Sequence, residues 1–335
     1  MIAMTLEQET QTAPCSSLPP RSGSLVETTN LAYILAASYS GSTLLAMLLG
    51  AQSDACTVGE MRAPDVGDAE AYFCSCGARI KECSFWLRVT AGMAAKGFPG
   101  FDITDADLSI HDVENRYIDR LLAPLTRGPV LEGIRDLALH LSPAWRPHLR
   151  RIQSRNAALV EVLRGITGAK VVVDSSKVAV HLKYLLTTPA LQIKVIHLLR
   201  DGRAVTTSML GHGLKRSTRA ETIAAAASSW RGNNEGAERL LARLPALQWL
   251  QLRYEDLCRQ PEETLRHLCG FLGMDTERIV LDFRSRQQHV LGNDMRLKST
   301  SEIRLDERWR TQLSKEDLEV FEEAAGGLNR KYGYA

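Results

Sequence analysis

An α/β fold with a central parallel sheet flanked by helices is predicted by two observations. Four short runs, "LAYILAA", "AKVVV", "IKVIHLL" and "LQWLQLRY", are apolar almost throughout, as strands covered on both faces are. Each leads into a segment of helix formers, and repeated strand-to-helix units build parallel sheets with helical crossovers. Length and composition agree, because 335 residues at 44% hydrophobic and 24% charged supply one large core or two modest ones.

Residues 1–29 carry Glu7 and Glu9 and no apolar stretch, so they predict a flexible polar tail rather than a secretory signal. The uncharged run over 31–53 matches the ~20 residues a membrane crossing needs, yet "SYSGST" interrupts it with three serines, a threonine and a glycine. It therefore parses as strand, turn and helix, and no membrane span is expected. The turn is P-loop-like in its chemistry: a helix start presents unpaired N–H groups and the positive dipole end, which suit an anion. Gly41 permits close backbone approach, Ser40, Ser42 and Thr43 offer hydroxyls, and Leu44 adds a first-turn amide. The lysine and spacing of the ordinary G-x-x-x-x-G-K-[ST] loop are absent.

A helical insertion is expected over about residues 86–167. There "DADLSIHDVENRYIDRLLAPL" and "RPHLRRIQSRNAALVEVLRGI" place apolar residues at helical spacing on charged faces. It should lie over the sheet edge, with Trp86, Trp145 and His148 either lining a ligand wall or packing in the core. The second unit reads as strand Lys170–Val173, turn Asp174–Lys177 and helix Val178–Leu186, with Asp174 capping the helix. The third is strand Ile193–Leu199, then Arg200, Asp201 and a helix opening near Arg203. Ser208 follows Arg200 by eight residues, which lets both converge on one anion; the plain alternative is an Arg200–Asp201 pair at a solvated strand end. A helix from about Ala220 carries Trp230 and Asn234, bordering a ligand or filling the core. The fourth strand ends at Tyr254, and the chain finishes in a closing helix capped by Gly326 and Gly327. A single domain over 30–335 accounts for all four units, their parallel order gathering Ser42, Thr43, Lys177 and Arg200 at one carboxyl edge.

Forty-one basic against thirty-nine acidic side chains leave +2, which excludes a whole-molecule field for steering onto nucleic acid or an anionic membrane. An anion site must be local. Seven cysteines are an odd number in a chain too large to need staples, so a reducing compartment is expected. "CSCGARIKEC" holds Cys74, Cys76 and Cys83 in a C-x-C-x6-C spacing without the usual pairing or an obvious fourth ligand; Cys56 is the candidate to complete it. Buried or redox-active thiols, and no metal, are expected there.

These segments resemble the sulfotransferases that use 3′-phosphoadenosine 5′-phosphosulfate (PAPS). "SYSGSTLL" is similar to the family's 5′-phosphosulfate loop, "LLRDGRAVTTS" to its 3′-phosphate motif, and "RYEDLCRQPEETLRHLCGFLGM" to its later strand-helix segment. "TVGEM" and "VVDSSKVAVHLKYL" look closest to bacterial relatives of the tyrosylprotein and carbohydrate sulfotransferases. The resemblance implies sulfuryl transfer by in-line displacement from PAPS as co-substrate to a hydroxyl, less readily an amine. Glu60 would be the catalytic base, with His212 and His181 as alternatives, and Lys177 the cation on the leaving phosphate. Ser40 to Leu44 would hold the 5′ end, Arg200 and Ser208 the 3′-phosphate, and Tyr254 the adenine, while Arg296 in "HVLGNDMRLK" would close on the 3′-phosphate. One departure stands out: Tyr39 occupies the place of a basic loop residue, leaving Lys177, Arg62 or the "LKRSTR" arginines Arg216 and Arg219 to supply that charge.

The polar start without a signal segment and the many cysteines lead to the expectation of a cytoplasmic bacterial enzyme, and the resemblance admits a small-molecule, carbohydrate, lipid or peptide acceptor. It leaves the acceptor and the oligomeric state open. The rivals are a P-loop-type ATP-dependent kinase and a nucleotide-binding scaffold without chemistry.

Overall fold

The computed structural model describes residues 30–62, 68–104, 108–110, 115–122, 128–214 and 216–334. The expected tail over 1–29 and Lys215 lie outside them.

Five parallel strands form the sheet: β1 (Leu31–Ala36), β2 (Ala55–Gly59), β3 (Val171–Lys177), β4 (Ile193–Leu199) and β5 (Trp249–Arg253), in spatial order β2-β3-β1-β4-β5. From β1 the chain moves to one side for β2 and β3 and then to the other for β4 and β5. The switch point therefore lies at β1, where open α/β sheets bind ligands beyond the strand ends. All six residues of β1 are buried, as the unbroken apolar run requires of a central strand.

The uncharged 31–53 run divides as its sequence implies, into β1, a turn, and α1 (Ser42–Gly50). Leu44, Leu45, Met47, Leu48 and Leu49 of α1 are almost wholly buried, each worth about 1.5–3 kcal/mol of hydrophobic transfer. Apolarity that mimics a membrane span is thus spent against the sheet. Among the described residues no helix is long and apolar enough to cross a membrane.

The insertion consists of α2 (Ser84–Ala95), α3 (Arg116–Leu122), α4 (Pro129–Leu141) and α5 (Trp145–Thr167). It leads back into β3 and then α6 (Ala179–Leu185), whose start is tied to β1 by Tyr33: its hydroxyl accepts from the Val178 N–H and donates to the Val178 carbonyl, both at 3.1 Å. After β4 come α7 (Gly202–Gly211) and α8 (Arg219–Leu241), and after β5 come α9 (Tyr254–Arg259) and α10 (Pro261–Leu272). A mostly irregular stretch runs back across the sheet edge to α11 (Trp309–Gln312), α12 (Lys315–Phe321), a π turn over Glu322–Gly326, and α13 (Gly327–Lys331).

Three expectations need correction, and one open alternative is decided. The "DSSK" segment is not a turn, because β3 continues to Lys177. Asp174 caps no helix: its Oδ1 accepts from the Met61 N–H at 3.1 Å and from the Ser176 N–H and hydroxyl at 2.9 and 2.5 Å. Gly326 and Gly327 do not end the closing helix, which passes through them by the π turn. Trp230 and Asn234 fill the core rather than border a ligand; the Trp230 indole donates to the Arg200 carbonyl at 3.2 Å, and the Asn234 amide to the Trp230 carbonyl at 2.9 Å.

Candidate active site

The sheet order sets the site. Reading along the carboxyl edge, Glu60 follows β2, Lys177 ends β3, the 37–41 turn follows β1, Arg200 follows β4 and Tyr254 follows β5. Four strand spacings of about 4.8 Å give roughly 19 Å of edge, enough for an elongated ligand. All five positions line one cavity of about 780 Å³, together with Gly41, Ser42, Thr43, Leu44, Arg62, Tyr72, Ser176 and Ser208. Arg62, Lys177, Arg200, Lys298, Arg304 and Arg308 outnumber Glu60, Asp294, Glu302 and Asp306 in that lining, so an almost neutral chain concentrates positive charge there.

The turn over 37–41 is shaped by two left-handed residues, Tyr39 at φ 64° and Gly41 at φ 89°. A Cβ on Gly41 would sit 2.4 Å from Cδ2 of Tyr254, so the ring closes over the turn because position 41 has no side chain. The first helical bond of α1 runs from the Leu45 N–H to the Gly41 carbonyl, and no side chain caps the helix. The Ser42, Thr43 and Leu44 amides therefore lack helical acceptors at a positive dipole end. The Ser40 hydroxyl is buried without a partner among the described residues.

Lys177 is the other non-glycine residue with positive φ (70°) among the described residues, and it too lines the cavity. Its ammonium is ion-paired with Glu60 Oε1, with both side chains about 15% exposed. Glu60 rests against Gly292, where an added Cβ would lie 3.1 Å from Oε1. Beneath the pair, burial pushes the Asp174 carboxyl up to about 6 against the lowering effect of its hydrogen bonds from Ser176 and Met61.

Arg200 is held on three sides. It donates to the Tyr39 carbonyl at 2.7 Å and to the Asp306 carboxylate at 3.0 Å, and lies 4.6 Å over the Tyr254 ring. Its Nε is buried and unpartnered. Asp201 is not its mate, since that carboxylate pairs with Arg203 at 2.7 Å and caps α7. Asp306 also binds Arg308 at 2.8 Å, and these hydrogen bonds, led by that from Arg308, hold its carboxyl well below the usual range. Burial pushes the Tyr254 phenol up, and its O–H donates to the Arg304 carbonyl at 3.0 Å.

The structure also separates residues that sequence reasoning grouped. Arg296 is buried away from the cavity and donates to the Phe73 and Gly292 carbonyls while lying 4.4 Å over Tyr72. It fastens two loops together through bonds that occupy most of its N–H groups and does not line the cavity, so its expected place at a phosphate is not the one it takes. Arg219 is paired with Asp317 at 2.7 Å and Arg216 is exposed; neither lines the cavity. Trp86, Trp145, His148 and His181 are core residues, whereas His212 reaches the cavity with its ring 4.6 Å from that of Tyr39. No described residue of the insertion lines the large cavity. Instead α4 supplies Glu132 and Arg135 to a smaller one of about 130 Å³, which shares Val178 and Asn233 with its neighbour. Sequence reasoning missed the wall formed by Lys298, Arg304, Asp306 and Arg308, for which the charge-rich "EIRLDERW" was the available signal. It also missed His289, which lies beside Cys74, Cys76 and Cys83 where Cys56 does not.

A family model described as "Sulfotransferase family" matches residues 110–278, half of the chain. Carbohydrate sulfotransferase 2 of Mus musculus and of Homo sapiens are each 28% identical over 181 residues, covering 42% of this chain and 34% of theirs. The chain thus spans about a third of the length of the curated relatives it matches. Among solved structures, the sulfotransferase domain of the Synechococcus PCC 7002 olefin synthase aligns at TM-score 0.48 and 19% identity, covering 90% of this chain and 96% of that one. The sulfotransferase domain of the curacin biosynthetic pathway aligns at TM-score 0.47 and 18%, covering 88% and 97%. With the family model reaching across β3, β4 and β5, the strands that carry Lys177, Arg200 and Tyr254, the chain belongs to the sulfotransferase family.

Proposed function

We propose that this sulfotransferase uses PAPS as donor and a hydroxyl as acceptor, with Glu60 as base and Lys177 as the cation on the leaving phosphate. The observation that carries the reading is the order of groups along one edge: carboxylate, ammonium, helix start, guanidinium, aromatic ring. Such an order matches an acceptor proton, a sulfuryl group, a 5′-phosphate, a 3′-phosphate and an adenine in sequence.

The amides of Ser42, Thr43 and Leu44 and the Ser42 and Thr43 hydroxyls bind the 5′-phosphate. Arg200 and Ser208 take the 3′-phosphate, and Tyr254 contacts the adenine. Lys177 turns from Glu60 to the bridging oxygen as donor enters, which uncouples the carboxylate. A lone pair of the acceptor oxygen then forms the new S–O bond while the S–O bond to the 5′-phosphate breaks. The electron pair leaves on adenosine 3′,5′-bisphosphate, and the acceptor proton passes to Glu60. Pre-aimed donors at the departing oxygen stabilise the charge that develops there. Tyr39, which brings no cation to the loop, serves instead through its carbonyl, which orients Arg200.

The curated relatives are named carbohydrate sulfotransferases, so a sugar hydroxyl is the first acceptor class to test. Labelled PAPS is incubated with panels of sugars, phenols and lipid alcohols, and Glu60→Gln is compared with the parent. Transfer should fall by about 10²- to 10⁴-fold in the variant with donor affinity retained. Donor binding with unchanged transfer or donor hydrolysis in Glu60→Gln removes Glu60 as base. A larger rise in melting temperature with ATP and Mg²⁺ than with adenosine 3′,5′-bisphosphate overturns the donor.

A further inference from the structure

We propose that Cys74, Cys76, Cys83 and His289 form a four-coordinate structural zinc site. One ligand atom from each residue lies within 4.8 Å of all the others. Cys76 Sγ is 3.6 Å from Cys83 Sγ, and His289 Nδ1 is 3.6 Å from Cys74 Sγ and 3.3 Å from Cys83 Sγ. A tetrahedron with Zn–S of about 2.3 Å and Zn–N of about 2.05 Å has S···S edges near 3.8 Å and S···N edges near 3.6 Å. The three short edges are close to those of such a shell, and the remaining three lie within 4.8 Å.

The surroundings fit the same ion. The His289 ring stacks on Phe85 with centroids 4.3 Å apart and planes 1° apart, which fixes Nδ1 toward the sulfurs. Three soft thiolates and an imidazole select zinc over hard cations, and four protein ligands leave no open position, so the role is structural. The sequence concealed the site because its fourth ligand lies 206 residues beyond Cys83.

The site would join the 72–83 segment to the strand-like 288–292 segment, which already share bonds from the Ser75 hydroxyl to the Gln288 carbonyl (2.5 Å) and from the Val290 N–H to Ser75 Oγ (2.7 Å). Leu291 then bonds Val58 of β2 at 2.8 Å, and Gly292 lies against Glu60. Zinc would thereby brace the backbone that borders the carboxylate.

The test measures metal content by inductively coupled plasma mass spectrometry on protein purified under reducing conditions without added metal. About one zinc per chain is expected, with zinc falling at least about tenfold in Cys76→Ser and His289→Ala and unchanged in Cys258→Ser, whose thiol lies outside the cluster. Because a ligand variant can fail to fold, the parent chain is also stripped with chelator and refilled with Co²⁺. The intense visible bands of tetrahedral thiolate cobalt, and a recovered melting temperature, support the site. Folded parent protein with no bound zinc and no such bands overturns it, as does a Cys76–Cys83 disulfide in that protein. None of these readouts depends on the sulfuryl donor or on turnover, so failure here leaves the proposed reaction standing.

Discussion

Gly41→Ala tests whether the closed 37–41 turn depends on a missing side chain. Two costs can be worked out separately. At φ 89° an L-residue sits in the left-handed region, which costs roughly 1–2 kcal/mol. The new Cβ would also fall 2.4 Å from Cδ2 and 2.7 Å from Cε2 of Tyr254, so the ring must retreat by about 1 Å. It is not free to do so, being tied by its hydroxyl to Arg304 and covered by Arg200, and such overpacking costs about 1–3 kcal/mol. The sum is about 2–5 kcal/mol. Gly97→Ala supplies the control, because Gly97 has φ 92° with nothing within 4 Å of an added Cβ and so carries the backbone cost alone. Denaturant unfolding of both variants should show Gly41→Ala the more destabilised by about 1–3 kcal/mol, and that excess should vanish in a Tyr254→Ala background. Equal losses at positions 41 and 97, or an excess that persists without the Tyr254 ring, would refute the packing account.

Arg200→Ala should weaken adenosine 3′,5′-bisphosphate binding by about 2 kcal/mol, roughly 30-fold, while AMP affinity in calorimetry barely moves; equal losses for both would make Arg200 structural. Asp174 should impose a pH dependence on stability. Its native carboxyl at about 6 lies above the unfolded value of 3.8, so the folded state binds the extra proton between them and stability falls as pH rises through that window. The full cost above pH 6 is about 3 kcal/mol. Asp174→Asn cannot titrate, so unfolding free energies should shift in its favour by that order between pH 4 and 7; a constant difference refutes the burial argument.

Local pattern carried the backbone well and side-chain partnership poorly. Strand, turn and helix were legible at 31–50 because uniform burial of a central strand and an all-apolar α1 leave a signature within a short window. "DSSK" misled because aspartate and serines are turn residues by composition, whereas here their hydrogen bonds close on β3 itself and on Met61, and burial then does what apolarity does elsewhere. Arg200 and Arg296 are equally conspicuous in the sequence. What separates them is distant in the chain: Arg296 is turned to the Phe73 carbonyl, 223 residues away, and out of the cavity lining, whereas Arg200 is flanked by Asp306, 106 residues away, with Nε left over.

The Asp306 contact gives the site a property beyond presence of charge. An unpaired guanidinium in a half-buried pocket would swing among rotamers and lose that freedom on binding, whereas the Tyr39 carbonyl, the Asp306 carboxylate and the Tyr254 face hold this one in place beforehand. Asp306 also cancels part of the charge, and the second arginine it binds, Arg308, restores it. The three together present a net positive charge on a fixed frame, which favours a phosphate dianion over a diffuse anion of the same size. Asp306→Asn separates the two effects: it removes the opposing charge but keeps an acceptor for Arg200. If orientation dominates, nucleotide affinity holds or rises by less than about threefold; if charge alone governs, it rises by tenfold or more, the equivalent of about 1.4 kcal/mol.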